Sequence, residues 1–117
     1  MADDEQGWKV YFYHRGRGDS PPKIYVDGLP KGDRERAYKY IAMLRDLGTR
    51  IMGPQSKHLT GPLWELCPVP NRLIHWLMPD RCFLILHAFP KKSRKTKKKH
   101  IDLALRRMRE MKGRLGL

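Results

Sequence analysis

The residues best suited to chemistry in this chain are cations set at the ends of strand-forming runs. Arg72 heads the run Leu73-Ile-His-Trp-Leu-Met78, and a second apolar run, Cys82-Phe-Leu-Ile-Leu-His-Ala-Phe89, discharges into Lys91-Lys-Ser-Arg-Lys-Thr-Lys-Lys-Lys99. Upstream, Lys57-His58-Leu59 lies between two Gly-Pro pairs, followed by Leu63-Trp-Glu-Leu66. Cations delivered to the end of a rigid sheet edge are fixed in space, so this pattern predicts a positioned anion site. An arginine fork there can grip a phosphate, and Lys92 at the end of the neighbouring strand falls on the same edge. Such a set can cleave an RNA phosphodiester without a metal. The 2′-OH is an internal nucleophile, and the protein must orient it, neutralise the phosphate and protonate the leaving 5′-oxygen. Crowded cations depress a lysine pKa, which lets one of them exchange protons. The competing reading is structural: Arg72 simply pairs with Glu65 across the hairpin.

Composition points to the same kind of partner. The 117 residues hold 25 Lys+Arg against 12 Asp+Glu, a net charge of +13. Residues 91–117 alone carry 12 of the cations, with Asp102 and Glu110 as their only acids. Neutralised phosphates release counterions and give sequence-independent affinity, although a solvated basic face has the same composition. The length suits one domain with one modest core. No run of about 18 apolar residues is present, and Met1-Ala-Asp-Asp-Glu-Gln6 has no apolar signal core, so neither a membrane span nor secretion is expected. Cys67 and Cys82 fall in different expected strands and form no Cys-x-x-Cys pair. Buried free thiols in a reducing cytoplasm are therefore expected rather than a disulfide or zinc knuckle. No phosphate-binding glycine loop, dinucleotide fingerprint or metalloprotease motif occurs, so neither cofactor nor metal is expected. Among the histidines, His14 and His100 read as peripheral and His75 and His87 as sheet or core residues, which leaves His58, in a loop, as the titrating candidate.

These residues must be positioned by a short series of elements. The spacing predicts strands at about 8–13, 63–68, 72–78 and 82–89, with helices at about 21–28, 33–47 and 97–112. Ser20 before Pro21-Pro22 caps the first helix, and Asp33 is the expected cap of the second, whose Ala37, Tyr40, Ile41, Leu44 and Leu47 share a face up to Gly48. Residues 49–62 read as loop, with turns at Val69-Pro70-Asn71 and Pro79-Asp80. The last helix places Ile101, Ala104, Leu105, Met108 and Met111 together. Its first turn is crowded with Lys97, Lys98 and Lys99, where the helix dipole favours acids, so an anion bound there would relieve the conflict.

At these residues the sequence resembles the HigB-like, phage-derived branch of the RelE/ParE toxin superfamily. The resemblance is carried by Lys57-His-Leu59, Leu63-Trp-Glu-Leu66, Asn71-Arg72, Leu86-His-Ala-Phe-Pro-Lys-Lys-Ser93 and Ile101-Asp-Leu-Ala-Leu-Arg-Arg107, and extends from about Pro22 to Glu110. It implies a single α+β domain over 1–117, with residues 1–7 a flexible lead-in. The implied fold is microbial-ribonuclease-like: a small antiparallel-rich sheet with the N-terminal helices on one face and a C-terminal helix. It further implies a cytoplasmic toxin that enters the ribosomal A site and cuts mRNA during translation, and a helix-turn-helix antitoxin as protein partner. By position, Arg72 would stabilise the transition-state phosphate and Lys92 would bind it or act as acid. Lys91 and Lys57 would add electrostatics, while Lys95, Lys97, Lys98, Lys99, Arg94 and His58 would contact RNA. One departure is that Cys67 stands where the family has an arginine after the Glu-Leu pair, which removes a cation from the expected site. Two rival readings keep the fold without the cleavage: a non-catalytic RNA- or DNA-binding phage accessory protein, and a ParE-like poison of DNA gyrase.

Overall fold

The computed structural model describes residues 7–51 and 53–117. Five strands form one sheet in the order β1-β5-β4-β3-β2: β1 Lys9–Phe12, β2 Ser56–Thr60, β3 Leu63–Leu66, β4 Asn71–Met78 and β5 Cys82–Pro90. β2 to β5 make an antiparallel meander, and β1 adds to the outer edge of β5 in parallel. The helices are α1 Pro21–Asp27, α2 Lys31–Leu47 and α3 Lys98–Leu115. This is the α+β architecture expected from the sequence. Apart from Gly7, the expected flexible lead-in lies outside the described residues. Among the described residues no helix is long and apolar enough to cross a membrane.

Each face of the sheet is covered. α3 lays Ala104, Met108 and Met111 on Leu63, Ile74, Trp76, Leu84, Leu86 and Phe89. On the other face α1 and α2 bring Val26, Ala37, Ile41 and Leu44 against Leu66, Leu73, Phe83, Ile85 and Ala88. A central strand buried on both faces is a continuous apolar run rather than an alternating one, which is why Leu73-Ile-His-Trp reads as it does.

Most bounds fall within a residue of expectation, and the larger departures have local reasons. Residues 49–62 are not all loop: Gly48–Arg50 forms a 3-10 turn and Ser56–Thr60 is an edge strand. Only Ser56 of that strand is buried, and its half-buried positions are Lys57 and Leu59, so it carries no apolar alternation to betray it and is held by backbone pairing to β3. α2 starts at Lys31 with Pro30 as cap. Asp33 is therefore in the first turn, beside Arg36 at 3.4 Å, where its charge suits the dipole without capping. β3 stops at Leu66: the Cys67 N–H to Gln55 O bond carries the pairing with β2 one residue further, and Pro68 then has no N–H to offer. α3 runs on to Leu115, with Lys112 and Arg114 in its last turn and a left-handed Gly116 as cap. Cys67 and Cys82 are free, as expected, but half-buried rather than buried.

A β-bulge in β5 governs which side chains reach α3. Ile74 pairs with His87 and His75 with Ile85, so Leu86 is the extra residue. Without it, strict alternation would send His87 to the α1–α2 face. With it, Leu86 and His87 both face α3 and Phe89 follows them.

At the other end of the sheet, Gly48 closes α2 with φ +57°, and a Cβ there would fall 2.0 Å from Trp8 Nε1, whose ring stacks on Phe83. Gly48→Ala is expected to cost about 3 kcal/mol, combining backbone strain with displacement of Trp8. Gly116→Ala, also at positive φ but with nothing within 4 Å, should cost only about 1 kcal/mol. Urea unfolding of the two variants compares them directly.

Candidate functional site

Glu65 lies in the middle of β3 with no exposed surface. One carboxylate oxygen accepts from Arg72 Nη1 at 2.5 Å, and the other from Thr96 Oγ1 at 2.7 Å. Lys57 Nζ, on a side chain 41% exposed, stands 3.5 Å from the same oxygen as Arg72. Three segments distant in sequence, β2, β4 and the loop before α3, thus converge on one buried acid. The structural pairing of Arg72 and Glu65 is real. Arg72 also lines a cleft at the sheet end, so the pair that anchors the guanidinium presents it there.

The basic segment is pinned at both ends. Lys91 N–H donates to Pro70 O at 2.7 Å, which extends the β4–β5 pairing past the strand end, and buried Thr96 is tied to Glu65. Between them Ser93 Oγ donates to Lys95 O and closes a tight loop. The cleft is walled by Arg72, Phe89, Lys91, Lys92, Lys95, Lys97, Lys99 and His100, with Ser93 and Thr96 as its neutral polar members. Six cations around one depression repel one another and attract an anion. Among the described residues no group of three or more His, Cys, Asp or Glu is arranged to hold a metal ion.

The sequence-predicted residues divide accordingly. Arg72, Lys91, Lys92, Lys95, Lys97 and Lys99 come together, and Lys57 stands behind Glu65. Lys98 points away and pairs with Asp102 at 2.7 Å, which relieves part of the conflict in the first turn of α3. Arg94 is exposed and outside the cleft wall. His58 is a correction: it lies in β2, not in a loop. It is one residue out of phase with Lys57, so its ring meets Trp64 on the opposite face and Nε2 bonds Gly61 O. His100 is the second correction. It is not peripheral: it stacks flat on Phe89, centroids 3.8 Å apart, and its Nδ1 lies 2.9 Å from His87 Nε2. Burial, then Lys99 and Lys97, holds its pKa below the usual histidine value, while Glu65 opposes them. Burial, then His100 and Arg107, lowers that of His87 to about 4. Sequence reasoning missed Thr96 and His100 as site members. Their only signal was position just before and within the first turn of the last helix.

Cys67 follows Glu65 and Leu66, and its Sγ lies 3.7 Å from Glu65 O. Burial is the main influence and raises its pKa, with Arg72, Lys57 and Lys91 pulling the other way. The position where the resemblance expects an arginine is thus within the field of the cleft cations.

A family model described as phage-derived protein Gp49-like matches residues 25–109. Among solved structures, a chain of the archaeal RelE–RelB complex from Pyrococcus horikoshii OT3 is similar in fold. The TM-score is 0.59 at 17% identity, over 76% of this chain and 99% of that one. A search of the curated proteins returned no match.

The anchoring role of Glu65 is separable from any chemistry. Glu65→Gln leaves a buried guanidinium without its counterion and should cost about 3–5 kcal/mol in urea unfolding. The double replacement Glu65→Leu with Arg72→Met should recover most of that loss, whereas Lys57→Ala should cost under about 1 kcal/mol. A Glu65→Gln protein as stable as the wild type would contradict the anchor.

Proposed function

The chain belongs to the phage-derived, Gp49-like protein family, and we propose that it is the toxin of a toxin–antitoxin pair, an endoribonuclease that cuts mRNA on the ribosome. One observation carries the reading: a buried ion pair fixes Arg72 at the floor of a cleft walled by lysines on a pinned loop. Arg72 would donate to the non-bridging oxygens of the scissile phosphate as they gain charge, a contribution made in the transition state rather than in binding. Lys92 would protonate the leaving 5′-oxygen. Lys91 and Lys57 would raise the local potential, and Lys95, Lys97 and Lys99 would hold the backbone of mRNA or ribosomal RNA. Lys98 and Arg94, outside the cleft, would serve as peripheral RNA contacts. A protein antitoxin is part of the proposal, supported by the complex in which the similar fold is found. A helix-turn-helix region in that partner, action in the cytoplasm and a place in the HigB-like branch of the superfamily belong to the same reading.

A second reading is favoured by Cys67. With a thiol where the resemblance expects an arginine, the cleft is one cation poorer, and a non-catalytic nucleic-acid-binding protein of the same fold would need no more than the lysines supply.

Expression in bacteria, with growth arrest scored and mRNA 5′ ends mapped, separates the two. Arg72→Lys keeps a cation beside Glu65 but loses the fork, and should lower cleavage about a hundredfold, on the order of 3 kcal/mol; Lys92→Ala should do the same. Cys67→Arg should leave cleavage unchanged or raise it. Replacing Lys95 and Lys97 together should flatten the slope of log affinity against log salt by about 1–2. A folded wild type that leaves mRNA intact would hand the case to the binding reading, whereas a folded Arg72→Lys protein that cuts at the wild-type rate, with folding checked by thermal melts, would remove Arg72 from the chemistry.

A further inference from the structure

The nuclease reading leaves open which group takes the proton from the attacking 2′-OH. We propose that His100 is that catalytic base, acting through Nε2, and that His87 is the positioning residue that fixes its ring and tautomer; the proposal rests on the nuclease reading and deepens it.

The geometry is specific. His100 is the only imidazole in the cleft wall among the described residues, set in the first turn of α3 and so fixed by a helix rather than a loop. Phe89 holds its ring flat, with an interplanar angle of 9°. Its Nδ1 is engaged by His87 Nε2 at 2.9 Å, a contact that exists because the bulge at Leu86 turns His87 toward α3. Two neutral rings at that distance share one proton. With Nδ1–H of His100 donating to His87, the lone pair of His100 is left on Nε2 of a ring that lines the cleft together with Arg72 and Lys92.

The charge around the ring keeps that lone pair available. Lys99 and Lys97 flank it from α3 and its cap and disfavour an imidazolium, and Lys91, Lys92 and Lys95 of the loop and Arg72 of β4 line the same cleft. Arg107 of α3 acts likewise on His87, and Glu65 of β3 opposes the lysines at His100. The lysines supply charge, and the imidazole supplies the acceptor. In the step, the 2′-oxygen bonds to phosphorus as its proton passes to His100 Nε2. The P–O5′ bond breaks, and the 5′-oxygen takes a proton from the Lys92 ammonium. The products are a 2′,3′-cyclic phosphate and a 5′-hydroxyl, and solvent returns the proton from His100 to Lys92.

The test is single-turnover cleavage of mRNA on programmed ribosomes by the purified full chain between about pH 5 and 8.5. A base must be unprotonated, so wild-type cleavage should rise with pH and level off below the ordinary histidine value of about 6.5. His100→Gln should lower the plateau about a hundredfold or more and erase the acid limb. His87→Phe should lower it at least about tenfold, and His87→Gln, which keeps an acceptor for Nδ1–H, should restore it. Ring nitrogen NMR of the wild type, needing no variant, should show an unprotonated Nε2 at pH 7 that shifts when adenosine 3′-monophosphate is added. If the wild type cuts and His100→Gln cuts equally with the same acid limb, or if Nε2 is protonated or ignores saturating nucleotide, the base is overturned alone. A wild type that does not cut overturns the nuclease reading, and the base with it.

Discussion

The carboxylate of Glu65, closed off from water at the centre of β3, accepts hydrogen bonds from Arg72 and Thr96 and draws in Lys57, and the cationic end of the molecule is organised around that contact. A buried carboxylate is costly unless every lone pair finds a donor, so once Glu65 is placed the positions of its donors are constrained. Arg72 cannot swing into solvent without stranding the acid, and the loop that begins at Lys91 cannot drift because Thr96 holds its far end. The pair would gain little for stability over well-packed apolar residues. Its consequence is positional, because it holds a guanidinium among lysines that would otherwise drive it away.

The sheet converts that anchor into a cleft. Hairpin connections put the start of β4 beside the end of β5, so Arg72 and Phe89 are register partners and the basic loop leaves the sheet beside the guanidinium. The bulge at Leu86 then places His87 and Phe89 on the α3 side, where they meet His100. Packing on the opposite face, through α1 and α2, uses a separate set of residues, with Val26, Ala37, Ile41 and Leu44 against Leu66, Leu73, Phe83, Ile85 and Ala88.

Much of this was legible in the sequence, for physical reasons that differ by residue. The strands of the hairpin and the face of α3 announce themselves by apolar runs and by spacing at i, i+3 and i+4, and Ser20 does bond Lys23 N–H as a cap should. The cation set followed from where the strands end. β2 was hidden because edge pairing needs no apolar pattern, and its register alone decides that Lys57 faces Glu65 while His58 faces away. The bulge was hidden too, since one extra residue in a buried apolar run leaves no mark in composition, and with it went the meeting of His87 and His100. Pairing Glu65 with Arg72 was foreseeable. That the same pair would present Arg72 to a cleft required the third partner, Thr96.

In the proposed chemistry a phosphodiester is cut by its own neighbouring 2′-oxygen at the Arg72 cleft. The most direct test places a single 2′-deoxynucleotide at the mapped cleavage position of an otherwise unmodified mRNA on programmed ribosomes, with end groups read by their chemistry. The all-ribose message should be cut to a 2′,3′-cyclic phosphate and a 5′-hydroxyl, and the deoxy message should survive at that position. Equal cutting of both messages, or a 3′-hydroxyl with a 5′-phosphate, would contradict it.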